Sequence, residues 1–165
     1  MPATTTRTYR SPSALPEEAR QRVAATLNDR LADGIDLWSQ VKVAHWNIKG
    51  PHFAALHPLF ETFATDLALR NDDIAERAVT LGALAHGTAR HVGAHSRIKE
   101  YPQDATRDLE HVGLLAERFE TYLSGLRQSR TVAEETRDID TVDLLTETLS
   151  QFEKHAWFLR ASLEA

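Results

Sequence analysis

Apolar residues recur along this chain with the three-four spacing of amphipathic helices, and that spacing is sustained over four long segments. Proline, glycine and clusters of acids mark the helix ends. The long helices are predicted over residues 16–46, 56–82, 106–130 and 139–163, with a short helix over residues 89–96. No segment shows the period-two alternation of a strand.

Four long amphipathic helices with one longer connection predict an all-α fold. The pattern is typical of a ferritin-like four-helix bundle, with the short extra helix in the connection between the second and third helices. Residues 16–165 are predicted to form this single domain. Residues 1–15 are rich in Thr, Ser and Pro and are predicted to be a flexible N-terminal tail.

Composition narrows the classes of function. The chain has no cysteine, which excludes disulfides, zinc–thiolate sites and thiol catalysis. Its net charge of −5 does not attract nucleic-acid backbones, so any DNA binding must come from a local basic element. No apolar run is long enough to cross a bilayer or to serve as a signal peptide, so a cytoplasmic location is expected.

The usual ferritin-like metal site is absent from the sequence. Such bundles bind two irons inside one bundle through Glu-x-x-His pairs on two helices. No glutamate in this chain has a histidine three residues later. A metal site in this bundle must therefore be built differently.

The second helix carries an alternative set of ligands on its outward face. At about 100° per residue, with His57 at zero, Glu61 falls at about 40°, Asp72 at about 60° and Glu76 at about 100°. The apolar stripe of the same helix lies at about 240–300°. The four side chains therefore form two i,i+4 pairs that turn away from the core.

Those two pairs cannot meet within one chain, because Glu61 and Asp72 are about 16 Å apart along the helix axis. A two-fold axis near the middle of the helix would place each pair beside the other pair of a second chain. His45, at the end of the first helix, would complete a set that suits iron or manganese. The alternative is a solvated acidic face with a surface histidine.

Three motifs resemble the Dps family, the DNA-binding protein from starved cells: "HWNIKG", "F..LH" and "D..AER...LG....GT". The likeness extends to "TVDLLTETLSQFEKHAWFL" near the end of the chain. The resemblance implies a hollow shell of twelve ferritin-like subunits, with dinuclear ferroxidase centres between two-fold-related chains. The iron ligands it implies are His45, His57 and Glu61 of one subunit with Asp72 and Glu76 of the partner.

The resemblance also assigns a role beside the ligands. Trp46 would lie close to the centre and take up an oxidising equivalent, although packing in the core or at a dimer interface explains it equally well. Two positions depart from the family. Glu61 stands where the family usually has Asp, and Pro58 follows a ligand where the family commonly has an acid.

The function implied is an iron-storing ferroxidase that oxidises Fe²⁺, preferably with hydrogen peroxide, and protects DNA from oxidative damage. The alternative is a nucleoid-associated DNA-binding protein with a vestigial metal site; a helical scaffold without metal is a third reading. DNA binding has weak support. Arg7 and Arg10 are the basic residues of the tail, and a shell of twelve chains would carry a charge of about −60, twelve times −5.

Other polar residues have less definite interpretations. His52 is expected to be a surface residue of the turn before the second helix. His91 and His95, with His86 nearby, are either a second metal-binding patch or exposed histidines of a short helix. A further acidic group opens the fourth helix, where it caps the helix or lines the pores through which Fe²⁺ enters the shell of the Dps family. Its members are Asp138, Asp140 and Asp143.

Overall fold

The structure is a computed structural model that describes residues 8–164. Its helices are α1 (Glu17–Asn47), α2 (Phe53–Thr80), α3 (Ala89–His95), α4 (Asp108–Glu135) and α5 (Ile139–Ala161). No strand forms within residues 8–164, apart from a single bridge between Lys49 and Arg107. None of the helices in this range combines the length and apolar character needed to span a membrane. All five predicted helices are present.

The largest difference from the predicted boundaries is the end of α4. The sequence predicts an end near residue 130, whereas the helix continues to Glu135. Ala133 is fully buried and continues the apolar stripe for one more turn. A small residue gives a weak hydrophobic signal, and for that reason the pattern alone ends too early.

The core lies between the four long helices. α1 packs along α2, α4 packs along α5, and α1 also contacts α4. An aromatic cluster fills the centre: the Phe63 and Phe119 rings meet edge to face at 5.6 Å, and Phe119 lies 6.0 Å from Phe152. These three side chains are fully buried. Burial of each aromatic side chain contributes about 1.5–3 kcal/mol of transfer free energy.

The connection between α1 and α2 is held against the start of α4. Gly50 has a φ of +141°, a conformation that side chains other than glycine rarely adopt. The His52 backbone N–H and ring Nδ1–H both donate to Oδ2 of Asp108, each at 2.8 Å. These hydrogen bonds lower the pKa of the Asp108 carboxyl, with the backbone N–H as the main cause. His52 is a surface residue, as predicted, but it also fastens this turn.

Residues 8–15, which precede α1 in the sequence, lie in space along the C-terminal end of α2. The Tyr9 N–H donates to the Gly82 carbonyl at 2.8 Å, and the Ser11 hydroxyl donates to the Thr80 carbonyl at 2.7 Å. Leu15 packs against the edge of the core. Residues 1–7 lie outside the described part of the chain, so the division into a tail of residues 1–15 and a bundle domain stays a prediction.

Candidate metal centre

Two histidines from different helices meet at the end of α1. The rings of His45 and His57 stack with centroids 3.8 Å apart and planes 20° apart. Nδ1 of His45 is 2.8 Å from the His57 carbonyl, and Nδ1 of His57 is 2.9 Å from the His45 carbonyl. A carbonyl only accepts, so each Nδ1 carries a proton. In the neutral tautomer both Nε2 atoms therefore keep a lone pair for a metal ion.

Glu61 adds a carboxylate to this histidine pair. Its Oε2 lies 3.3 Å from Nε2 of His45 and also accepts a close hydrogen bond from the Lys42 ammonium. The pKa of Glu61 is lowered, mainly by the hydrogen bond from Lys42, so the carboxylate is ionised near neutral pH. The Lys42 ammonium also lies 5.9 Å from the Trp46 ring. These side chains bring imidazole and carboxylate donors to one end of the bundle.

Asp72 and Glu76 do not join these three ligands within one chain. Both are exposed on α2, several turns beyond Glu61. Within residues 8–164 of a single chain, no three or more His, Asp or Glu side chains converge closely enough to hold a metal ion. One chain therefore presents two separated groups of candidate ligands, which we call half-sites: His45, His57 and Glu61 form one, and Asp72 and Glu76 form the other.

The surface between the half-sites exposes small and apolar side chains. Thr65, Ala68 and Leu69 lie on the exposed side of α2, midway between the two pairs of ligands. The Leu69 side chain is 61% exposed, and at the end of α1 the Trp46 side chain is 67% exposed. Trp46 is therefore not a core residue of one chain.

The comparisons with known proteins point to one family. A family model described as Ferritin-like domain matches residues 24–165. The chain is 37% identical to the "DNA protection during starvation protein" of Agrobacterium fabrum over 158 residues, which covers 96% of this chain and 98% of that protein. The chain belongs to the Dps family. The resemblance found in the sequence is confirmed.

Solved Dps structures share the whole architecture. DpsC from Streptomyces coelicolor superposes with a TM-score of 0.92 at 30% identity, covering 100% of this chain and 96% of that one. The Dps protein of Vibrio cholerae O1 gives a TM-score of 0.89 at 30% identity, covering 98% and 100%, and is described as a member of a superfamily of ferritin-like diiron-carboxylate proteins. The predicted ferritin-like bundle, with its short extra helix between the second and third long helices, is confirmed for this Dps chain.

Pro58 lies within α2 of this Dps chain rather than at its start. The helix begins at Phe53, so Pro58 is beyond the first turn and removes the backbone hydrogen bond to the Ala54 carbonyl. The helix nevertheless continues to Thr80, and the neighbouring His57 carbonyl accepts the bond from the His45 ring. The proline thus leaves the histidine pair in place.

The acids at the start of α5 separate into two kinds. Asp138 is buried and accepts from the Thr141 N–H at 3.2 Å and from the Arg77 guanidinium at 2.6 Å. It is the N-cap of α5, so its carboxylate has a structural role. Asp140 and Asp143 are exposed on the same helix. Of the three candidate pore residues, these two face solvent, although Asp140 also lies 3.8 Å from the Arg77 guanidinium.

Asp66 and His155 form a pair beside the centre that sequence reasoning missed. Asp66 lines the same cleft as His45, His57 and Glu61. Its Oδ2 lies 2.7 Å from Nε2 of His155, whose buried ring stacks on Phe63 at 4.3 Å. Burial is the main cause that lowers the pKa of His155. The sequence did contain a signal for this pair: His155 lies on the apolar stripe of α5, and a buried imidazole needs a polar partner.

Replacing Lys42 by Met is expected to strengthen metal binding at the histidine pair about tenfold, because a positive charge beside a divalent cation is removed. Titration with redox-inert Zn²⁺ by calorimetry measures the effect. Lys154→Met serves as the control, since Lys154 lies on α5 against Phe158 and has no contact with the proposed ligands. Equal or weaker Zn²⁺ binding by Lys42→Met would show that the ammonium does not oppose the metal.

Proposed function

We propose that this Dps protein is an iron-storage and detoxification ferroxidase. The observation that carries the proposal is the pair of Nε2 lone pairs at His45 and His57, fixed by the mutual Nδ1–carbonyl hydrogen bonds, with the ionised Glu61 beside them. The donor set of two imidazoles and three carboxylates, with no sulfur, suits iron. Iron is here the substrate and the stored cargo.

Two chains are needed to complete each centre. An isologous dimer about an axis through the middle of α2 brings His45, His57 and Glu61 of one chain beside the partner's Asp72 and the partner's Glu76. The same operation builds a second, equivalent centre. The exposed Leu69 near the axis would be buried by this contact. We propose that six such dimers assemble into a dodecameric shell, as the family resemblance implies.

In the proposed reaction, the carboxylate ligands stabilise the higher charge of the oxidised iron ions. Two Fe²⁺ ions each give one electron to hydrogen peroxide, and with two protons the products are two Fe³⁺ ions and two water molecules. Carboxylates bind the product ions more strongly than the substrate ions because the metal charge rises. Because two iron ions supply both electrons within one centre, peroxide is reduced without release of hydroxyl radical. Trp46, which is exposed at the end of α1 near Lys42, would take up a stray oxidising equivalent.

The family supports the physiological side of this proposal. The Agrobacterium fabrum relative is named for DNA protection during starvation. Removal of Fe²⁺ and peroxide together would protect DNA by preventing the chemistry that damages it. A cytoplasmic location, with access to the nucleoid, fits that role.

The direct test is Fe²⁺ oxidation followed at constant pH, with peroxide and oxygen compared as oxidants. The wild-type protein is expected to oxidise Fe²⁺ faster with peroxide, and His45→Ala to lose at least about 90% of that rate by removing a ligand. Glu18→Ala is the control, since Glu18 is exposed at the opposite end of α1 from His45. Light scattering should give the mass of twelve chains. A monomer, or unchanged oxidation by His45→Ala, would refute the proposal.

The second candidate function is DNA binding by the same shell. Arg10 is exposed at the start of the described residues, and Arg7 precedes it in the sequence. Many copies of a weakly basic segment on one shell can act together through multivalency. A nucleoid-associated protein with a vestigial metal site would bind DNA and leave Fe²⁺ unoxidised.

The double variant Arg7→Ala, Arg10→Ala is expected to bind DNA more weakly, with a shallower salt dependence, because fewer phosphates are neutralised. Its Fe²⁺ oxidation should equal that of the wild type, since every proposed ligand lies at or beyond His45. A mobility-shift titration at several salt concentrations measures the first effect. Arg90→Ala, another exposed arginine, is the matched control. Unchanged DNA affinity would remove the N-terminal segment from any DNA-binding role.

A further inference from the structure

Three histidines form a cluster on the surface around α3, and none belongs to the proposed iron centre. The His91 and His95 rings stack with centroids 3.9 Å apart and planes 14° apart, and the His86 ring lies 5.2 Å from His91. His86 comes from the connection before α3, where its N–H donates to the Asn28 side chain at 2.9 Å. We call His86, His91 and His95 the histidine patch.

The helix arrangement leaves ring nitrogens of the patch available. Nδ1 of His95 lies 2.8 Å from the His91 carbonyl, which only accepts, so Nδ1 carries the proton and Nε2 of His95 keeps a lone pair. His91 and His95 are four residues apart, the spacing at which two helical side chains share one ligand. His86 and His95 are exposed, and His91 is half-buried. Solvated cations therefore reach the patch directly.

The surroundings of His91 favour its unprotonated form. The pKa of His91 is lowered, mainly by desolvation, and the nearby His95 and His86 lower it further. A positive charge on a neighbouring ring opposes protonation of His91, because like charges in close contact repel. A divalent cation meets no such obstacle, since it binds the unprotonated nitrogens.

The donor chemistry of the patch differs from that of the iron centre. The patch offers imidazole alone, whereas the proposed iron ligands include three carboxylates. Imidazole suits the later first-row metals, and affinity for such donors rises from Fe²⁺ through Ni²⁺ to Cu²⁺. A site of this kind would discriminate against Fe²⁺ and leave iron to the carboxylate-rich centre.

We propose that the histidine patch is a second metal-binding site, which takes a borderline divalent cation of the Cu²⁺, Ni²⁺ and Zn²⁺ class. His91 and His95 supply the first two nitrogens. The three rings are stacked rather than converged on one point, so binding turns the exposed His86 side chain about its own bonds to add the third nitrogen. Water completes the coordination. Because it involves other residues, this proposal stands independently of the ferroxidase proposal.

Cu²⁺ is the probe for the test, applied to the full-length assembled protein. Equilibrium dialysis counts bound Cu²⁺ per chain, and electron paramagnetic resonance reports nitrogen coupling. All copper measurements use a His45→Ala, His57→Ala background so that copper at the proposed iron ligands does not interfere. Adding His91→Gln and His95→Gln is expected to remove one Cu²⁺ per chain, and His86→Gln alone to weaken binding about tenfold while one Cu²⁺ still binds at saturation.

The Cu²⁺ count of a control variant and the Fe²⁺ oxidation rate of the patch variant complete the test. His52→Gln, which changes a lone exposed histidine, should retain the Cu²⁺ count of the background protein. With the iron ligands intact, the patch variant should oxidise Fe²⁺ at the wild-type rate. An unchanged count and affinity for Cu²⁺ in the His91→Gln, His95→Gln variant would overturn the proposal. So would a copper signal without nitrogen coupling in the background protein.

Discussion

Chains carrying His57→Ala and chains carrying Asp72→Ala are each expected to lose nearly all peroxide-dependent Fe²⁺ oxidation, and to regain part of it when co-assembled. The two residues lie on one helix but serve different centres. In a mixed dimer, one centre carries both lesions and the other draws wild-type ligands from both chains. Random pairing makes half the dimers mixed, so about a quarter of all centres are intact. The recovered rate should be about a quarter of the wild-type rate.

The matched control for this rescue is a mixture of His57→Ala and His45→Ala chains. Both residues belong to the same half-site, so each centre of a mixed dimer keeps one lesion and no recovery is expected. Differently tagged chains and a two-step affinity purification verify that mixed assemblies form. Failure of the His57→Ala and Asp72→Ala mixture to recover, in verified mixed dimers, would exclude a shared centre. Equal recovery in the control mixture would show that the recovery does not arise from combining two intact half-sites, and would also contradict the shared centre.

Gly50→Ala is expected to destabilise the protein and to weaken metal binding with it. The positive φ of Gly50 makes any side chain costly, by about 1–3 kcal/mol. A Cβ at this position would lie 2.5 Å from Cγ of Asp108, so the carboxyl that holds His52 must also move. The turn before α2 sets where His57 meets His45. Thermal unfolding measures the first effect, and Zn²⁺ titration measures the second.

Gly113→Ala is the control for that substitution. Gly113 lies within α4, and a Cβ there would have no atom within 4 Å. Replacing a helical glycine by alanine in open space is expected to raise stability by about 0.5–1 kcal/mol. Unchanged Zn²⁺ binding by Gly50→Ala would show that the turn has no role in positioning the histidines.

The helices and the outward stripe of α2 could be predicted because both follow from periodicity alone. The apolar side of α2 faces the core, as Phe60, Phe63 and Leu67 show by their complete burial. Asp72 and Glu76 are exposed on the opposite side, as the helical wheel requires. The rise per residue also predicted that the two pairs of candidate ligands on α2 lie far apart along the helix axis. In agreement, no cluster of three or more candidate metal ligands forms within the described residues of one chain.

Contacts between segments distant in the chain could not be predicted in this way. The bond between Lys42 and Glu61 joins α1 to α2, and its existence depends on how the two helices align. The Asp66–His155 pair joins α2 to α5 across 89 positions of sequence. His52 was recognised as a turn residue, but its partner Asp108 lies in another helix. Periodicity reports which face a residue occupies and says nothing about which partner it meets there.

The most direct measurement is anomalous diffraction at the iron absorption edge from crystals of the assembled protein loaded anaerobically with Fe²⁺. The account predicts anomalous density about 2 Å from Nε2 of His45, Nε2 of His57 and the Glu61 carboxylate of one chain. The same density must lie within coordination distance of the partner's Asp72 and the partner's Glu76. Density bound by residues of a single chain, or no density beside His57, would contradict the shared centre.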